Sequence, residues 1–222
     1  RRDMIYIRKG NEPRSLIEHR CTPGADFDGL DKTELRDCLL KEQGYLCAYC
    51  MKRIHDEKDT KIEHYRARNA ENQLDYNNLL AVCYGNQSNS DGEVRYGKKR
   101  LTCDSMKGNQ RLDINPQNEE DISTIYYDNQ GKIYSKNEVY QTNIEKVLNL
   151  NDPYGYLIGN RKAVIDAMVR KLSTAKSKQE AKELLLRWKR KYMSFSYGEE
   201  KPEYLGVIRW YLDKQLRKHG IC

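Results

Sequence analysis

The sequence predicts an α+β fold: a small mixed unit to about residue 138, then a helical region over residues 139–222. Three observations carry this. Short β-prone runs separated by polar loops fill the first part. After about residue 138 the apolar residues recur at helical spacing over long stretches. Six of the seven cysteines, at 21, 38, 47, 50, 83 and 103, fall in the first part, and Cys47-Ala-Tyr-Cys50 makes a tight turn there.

The elements follow in order. Residues before 31 mix charge with Pro13 and Pro23 and read as an arm with one strand at Met4–Arg8. Asp31–Gln43 carries an apolar stripe of Leu35, Leu39 and Leu40. Asp31 or Thr33 can cap this helix and Gly44 ends it. A short strand is expected at Lys61–Tyr65 and a second ordered stretch at Asn77–Val82. Residues 84–102 are polar, glycine-bearing and basic, and read as an inserted loop. A helix opens at Asp104. Ile122–Tyr127 and Lys132–Tyr134 flank Asp128-Asn-Gln-Gly131, which signals a hairpin. Three helical stripes follow at Tyr154–Leu172, Ser177–Tyr192 and Pro202–Lys218. The last one bears Leu205, Val207, Ile208 and Trp210, which form a docking patch unless the fold covers them.

Composition sets outer limits. The 222 residues are 38% hydrophobic and 33% charged, with a mean hydropathy of −0.95. No apolar run approaches the roughly 20 residues of a bilayer-spanning helix, so a membrane span is excluded. The opening RRDMIYIRKGNEPR lacks the apolar core of a signal peptide, and a cytoplasmic location is expected. Lys and Arg number 40 against 33 Asp and Glu, a net +7, which favours a polyanionic partner. The 17 tyrosines suit surfaces that stack and hydrogen-bond.

Seven cysteines are an odd number for a disulfide framework. Thiolates held for a metal fit better. Cys47, Cys50, Cys83 and Cys103 supply the four sulfurs of a closed structural zinc site. The alternatives are that Cys83 is a small buried hydrophobe in LLAVC, or that the CxxC pair is redox-active.

Between the two cysteine halves lie KIEHYRARN and LDYNNLLAVC, and after the last comes DSMKGNQ. This order resembles the HNH endonucleases, the ββα-metal nucleases: CxxC, an acid and His on a strand, Asn-Leu, a second cysteine pair, then His, Asn or Asp and a nearby Lys, with Asp104 standing here where His or Asn is commoner. KEQGYLCAYCMKRI, IEHYRAR, YNNLLAVC and CDSMKGN further resemble the HNH subunit of Septu anti-phage systems, a family that includes homologues encoded beside retrons. The resemblance covers about residues 4–116 and implies a zinc-stapled HNH core at 1–138. It implies a metal-dependent endonuclease that hydrolyses nucleic-acid phosphodiester bonds in anti-phage defence. The resemblance implies an ABC/SMC-like ATPase as partner, and this chain has no Walker A sequence with which to act alone as an ATPase. A retron reverse transcriptase and its DNA are further implied partners, and the choice of DNA or RNA, tRNA included, stays open.

The residue types suit that chemistry. His64 takes a proton near neutrality. Glu63 and Asp104 are oxygen ligands for Mg²⁺ or Mn²⁺. Asn78 matches the family Asn that braces the loop and orients the His. Adjacent strand residues face opposite ways, so Glu63 and His64 straddle the phosphate or sit at a bend. Arg66, Arg68, Lys98, Lys99 and Lys107 bracket the site and suit phosphate contacts. Plainer readings remain at each position: a surface Glu63–His64 pair, Asn78 as a turn former, Asp104 as a helix cap. The rival function is a zinc-stapled adaptor that binds nucleic acid or a partner without cutting. Residues 139–222 are expected either to cap the core or to dock the partner.

Overall fold

A computed structural model describes residues 5–86 and 100–221. Helix α1 spans Arg14–Arg20 and α2 spans Thr33–Gln43. Strand β1 (Thr60–His64) pairs antiparallel with β2 (Leu79–Cys83), in the register Thr60 with Cys83 through His64 with Leu79. A single 3-10 turn, Tyr76–Asn78, leads into β2. Helix α3 (Cys103–Lys107) packs against β2. These three elements make a ββα unit.

The expected strand at residues 4–8 does not form among the described residues. That segment is extended, buries Ile5 and Ile7, and gives its Ile7 N–H to Pro116 O at 2.9 Å, so it packs without a strand partner. The arm also contains α1, which the sequence reading left out. Pro13 starts it and Leu16, fully buried, fastens it to the core. The α2 prediction holds. Asp31 Oδ1 accepts from Thr33 N at 2.9 Å, and Gly44 at φ +66° ends the helix in the left-handed region only glycine enters freely.

After a short α4 (Glu119–Ser123), β3 (Ile125–Tyr127) and β4 (Ile133–Ser135) form the expected hairpin. Then come α5 (Glu138–Thr142), a π-helical turn over Asn143–Val147, α6 (Tyr156–Leu172), α7 (Lys178–Met193) and α8 (Leu205–Lys218). Ser177 caps α7 by accepting from Glu180 N. Helix α8 lies against α6, α7 and β3. Leu205, Val207, Ile208 and Trp210 are all buried, so they form no docking patch. One apolar cluster runs from Leu16 and Leu35 through Leu79 and Ile125 to Leu185 and Leu212.

The helical region is stitched to the first part by backbone groups. Lys201 N donates to Gly44 O and Tyr204 N to Met51 O, both at 3.0 Å. Arg53 donates to Gly44 O and Tyr45 O at 3.2 Å and also to Lys201 O. On the other side, Arg161, 1% exposed, has no carboxylate but donates to Gly131 O and Leu150 O at 2.6 Å. Gly131 sits at φ +86°, and a β-carbon there would lie 2.5 Å from Ile158 O. Gly131→Ala is therefore expected to cost more than about 2 kcal/mol, from backbone strain plus overlap. Gly24, at φ +75° with open space around it, pays backbone strain alone. Gly24→Ala should cost about 1 kcal/mol, and urea unfolding of the two variants separates the cases.

Candidate active site and metal centre

The site begins with the turn between α2 and β1. Leu46 bridges Arg53, Cys47 N donates to Lys52 O, and Met51 takes φ +62°. This turn aims Cys47 and Cys50 at the end of β2, where Cys83 sits, and at Cys103, the first residue of α3. All four are buried and unpaired by disulfides, with their sulfurs within 4.8 Å of one another. Three separations are 3.9 Å (Cys47–Cys103), 3.7 Å (Cys50–Cys83) and 3.8 Å (Cys83–Cys103). A tetrahedral ion with metal–sulfur bonds of about 2.3 Å needs sulfur separations of about 3.8 Å, so the set fits a four-thiolate metal centre.

The long interval between Cys83 and Cys103 is closed locally. Thr102 N donates to Gly85 O at 2.9 Å and Asn86 Nδ2 to Arg100 O at 2.7 Å. Gly85 stands at φ +54°, and a β-carbon on it would meet Thr102 O at 1.9 Å. Only glycine permits this neck, which returns the chain to the cluster as if the intervening residues were absent.

The same elements place the ionisable groups. Lys61 and Glu63, two apart on β1, face α3. Asp104 follows Cys103 directly, and Lys107 comes one turn later. Lys61 Nζ lies 2.5 Å from Asp104 Oδ2 and Lys107 Nζ lies 2.7 Å from Glu63 Oε1. Tyr49, from within the CxxC turn, donates to Glu63 Oε1 at 3.2 Å. Burial and the adjoining Asp104 carboxyl push Glu63 up to about 8, with Lys107 opposing. Burial also works against ionised Asp104. The hydrogen bond from Glu63 and the charges of Lys61 and Lys107 outweigh it and hold Asp104 below its ordinary value. Two carboxyls thus share one proton between two ammonium groups.

His64 turns to the other face of β1. Its Nε2 lies 3.0 Å from Gln73 O, which can only accept, so Nε2 carries the proton and Nδ1 keeps a free lone pair. The Phe27 ring meets the imidazole edge-on at 4.5 Å. Burial lowers the His64 pKa, so the neutral ring is the form present near neutrality. Asn78 clamps the loop that carries Gln73. It accepts from Arg66 N at 2.8 Å and donates to Arg66 O at 3.1 Å and Asn72 O at 3.4 Å.

The structure therefore gathers Glu63, Asp104 and Lys107 on one face of β1, and His64 with Asn78 on the other. Lys107 is 1% exposed, with its ammonium on Glu63. Arg66 is exposed on the Asn78-clamped loop, and Arg68 pairs with Asp28 at 2.7 Å. Lys98 and Lys99 lie outside the described residues. Sequence reasoning passed over Tyr49, Lys61 and Gln73. The i, i+2 spacing of Lys61 and Glu63 on a strand was a readable signal, and so was the place of Tyr49 inside CxxC. Gln73 acts through its backbone carbonyl, which no residue type announces.

A β-hairpin bearing Glu-His, a short helix bearing Asp and a four-cysteine cluster thus meet in one ββα unit. In agreement, residues 47–85 match the HNH endonuclease family model, and the chain carries an HNH endonuclease domain. The chain is also similar to a retron Ec83 putative HNH endonuclease of Escherichia coli, with 31% identity over 134 residues. That match covers 53% of this chain and 51% of the relative, so the chain spans about half the length of the protein it matches.

The purified protein is expected to hold one tightly bound metal ion per chain, lost in Cys83→Ser/Cys103→Ser. Gly85→Ala, which spares every ligand, should also lower the metal content by forcing the neck open. Elemental analysis of the three proteins checks both expectations. Full occupancy in Gly85→Ala would show that the neck does not position Cys103.

Proposed function

We propose that this chain is a metal-dependent endonuclease that hydrolyses nucleic-acid phosphodiester bonds. The observation that carries the reading is the carboxyl pair of Glu63, buried on the strand that holds His64, and Asp104, half-buried on α3. In this reading the four cysteines hold a structural Zn²⁺ that locks the hairpin to α3. Glu63 and Asp104 would hold Mg²⁺ or Mn²⁺, which when bound supplies charge stabilisation for the leaving 3′ oxygen. His64 Nδ1 accepts a proton from the attacking water, with Gln73 O fixing the tautomer. Asn78 keeps Gln73 in place and so acts as a positioning residue. Arg66 and Arg68 reach phosphates beside the cut, and we assign the same role to Lys98 and Lys99. Lys107, whose ammonium rests on Glu63, is assigned a phosphate contact in this reading and would yield Glu63 to the divalent ion.

The retron-associated relative supports a setting in anti-phage defence of the Septu kind, in the cytoplasm, with an ABC/SMC-like ATPase licensing cleavage. A retron reverse transcriptase and its DNA are further partners of this reading. Residues 1–138 carry the nuclease site and residues 139–222 cap it. No helix among the described residues is long and apolar enough to cross a membrane.

One observation favours a second reading, an adaptor that binds without cutting. Lys61 and Lys107 already balance the carboxylates, which leaves the pair satisfied in the absence of a metal. Incubation of plasmid DNA and of total RNA with Mg²⁺ or Mn²⁺, with and without the ATPase, separates the two. Cleavage should fall about 10²–10⁴-fold in His64→Ala while the cysteine-bound metal stays. Glu63→Ala and Asp104→Ala should raise the divalent-ion concentration needed. Undiminished cutting by His64→Ala would falsify the nuclease assignment at this site.

A further inference from the structure

The net charge of +7 is not spread evenly. Residues 1–138 hold 23 Lys and Arg against 24 Asp and Glu, whereas residues 139–222 hold 17 against 9. The largest share lies on α7, with six Lys and Arg against Glu180 and Glu183. That helix buries Ala181, Leu185 and Trp188 against α8. It exposes Lys178, Lys182, Arg187 and Arg190. None of these four forms an ion pair with a described residue. Some exposed cations on other elements are matched locally, as in Arg14–Glu18, Arg20–Glu12, Lys41–Asp37 and Lys162–Asp166.

From Lys178 to Arg190 the helix rises about 18 Å. A nucleic-acid duplex presents about ten phosphates over that length. The cations are spread around the exposed side of α7, which suits a repeating anion. An interfacial membrane helix needs a broad apolar face. The apolar face of α7 is already spent on α8, and Leu186 and Met193 alone remain as exposed large apolar side chains on it.

We propose that α7 is a sequence-independent tether for the phosphate backbone of nucleic acid. It holds a strand or duplex on the exposed side of α7, a helix that packs on α8, whereas the Glu63–Asp104 cluster is built from β1 and α3. Its purpose, keeping substrate on the enzyme beside the scissile bond, rests on the nuclease reading. The binding itself does not.

The test uses the full chain carrying His64→Ala, so that nothing is cut. Affinity for a duplex DNA of roughly 40 base pairs and for a structured RNA of like charge is measured across salt concentrations. Lys178→Gln/Lys182→Gln/Arg187→Gln/Arg190→Gln should weaken binding at least about tenfold at low salt. It should also cut the slope of log affinity against log salt by about 3 on DNA. Arg187→Lys/Arg190→Lys, which keeps the charge, should retain the parent slope. Metal content and helical circular dichroism show that each variant is folded. Equal affinity and slope in the quadruple Gln variant overturn the proposal. So does tighter binding of the parent to phosphatidylserine vesicles than to either nucleic acid. If instead the nuclease reading alone is wrong, the chain with His64 intact cuts nothing while the α7-dependent binding persists.

Discussion

Four sulfurs drawn from the turn after α2, the end of β2 and the first residue of α3 meet within 4.8 Å. Everything in the site hangs from that junction. Strand β1 pairs with β2, so its register relative to the cysteines is set by Thr60 facing Cys83. Helix α3 can start only where Cys103 is held, and Asp104 and Lys107 then arrive one residue and one turn later. A two-stranded sheet and a five-residue helix have little stability of their own. A four-thiolate centre supplies what local propensity lacks, because binding a metal there is also folding.

The charges are placed with equal economy. Glu63, buried, and Asp104, half-buried, lie together between Lys61 and Lys107. Lys61 and Lys107 draw the pair towards ionisation, yet burial and the Asp104 carboxyl still raise Glu63 to about 8, so a divalent ion on Glu63 would have to displace a proton. The same strand turns His64 to its other side, where a carbonyl rather than a carboxylate holds the ring. One β-strand thus separates the anionic half of the site from the basic one by nothing more than the alternation of its side chains.

Much of this was legible in the sequence. The α2 stripe and its Gly44 stop, the Asp128–Gly131 hairpin and the three C-terminal stripes follow from local patterns and were found within a few residues. The cysteine quartet, clustered in the structure, follows from residue order, while the roles of Glu63, His64, Asn78 and Asp104 come from the resemblance and stand as proposals. What escaped was set by tertiary context. Helix α1 is seven residues with one anchor, Leu16, too short for a periodic signal. The segment at residues 5–8 alternates like a strand, yet it packs without strand pairing among the described residues. The apolar residues of α8 read as surplus because the hairpin and the other helices that cover them are distant in sequence.

The neck at Gly85 and Thr102 makes backbone, not nearness in sequence, the agent that brings Cys83 and Cys103 together. The weakest point of the metal centre therefore lies outside its own four sulfurs, in a residue with no side chain to coordinate anything.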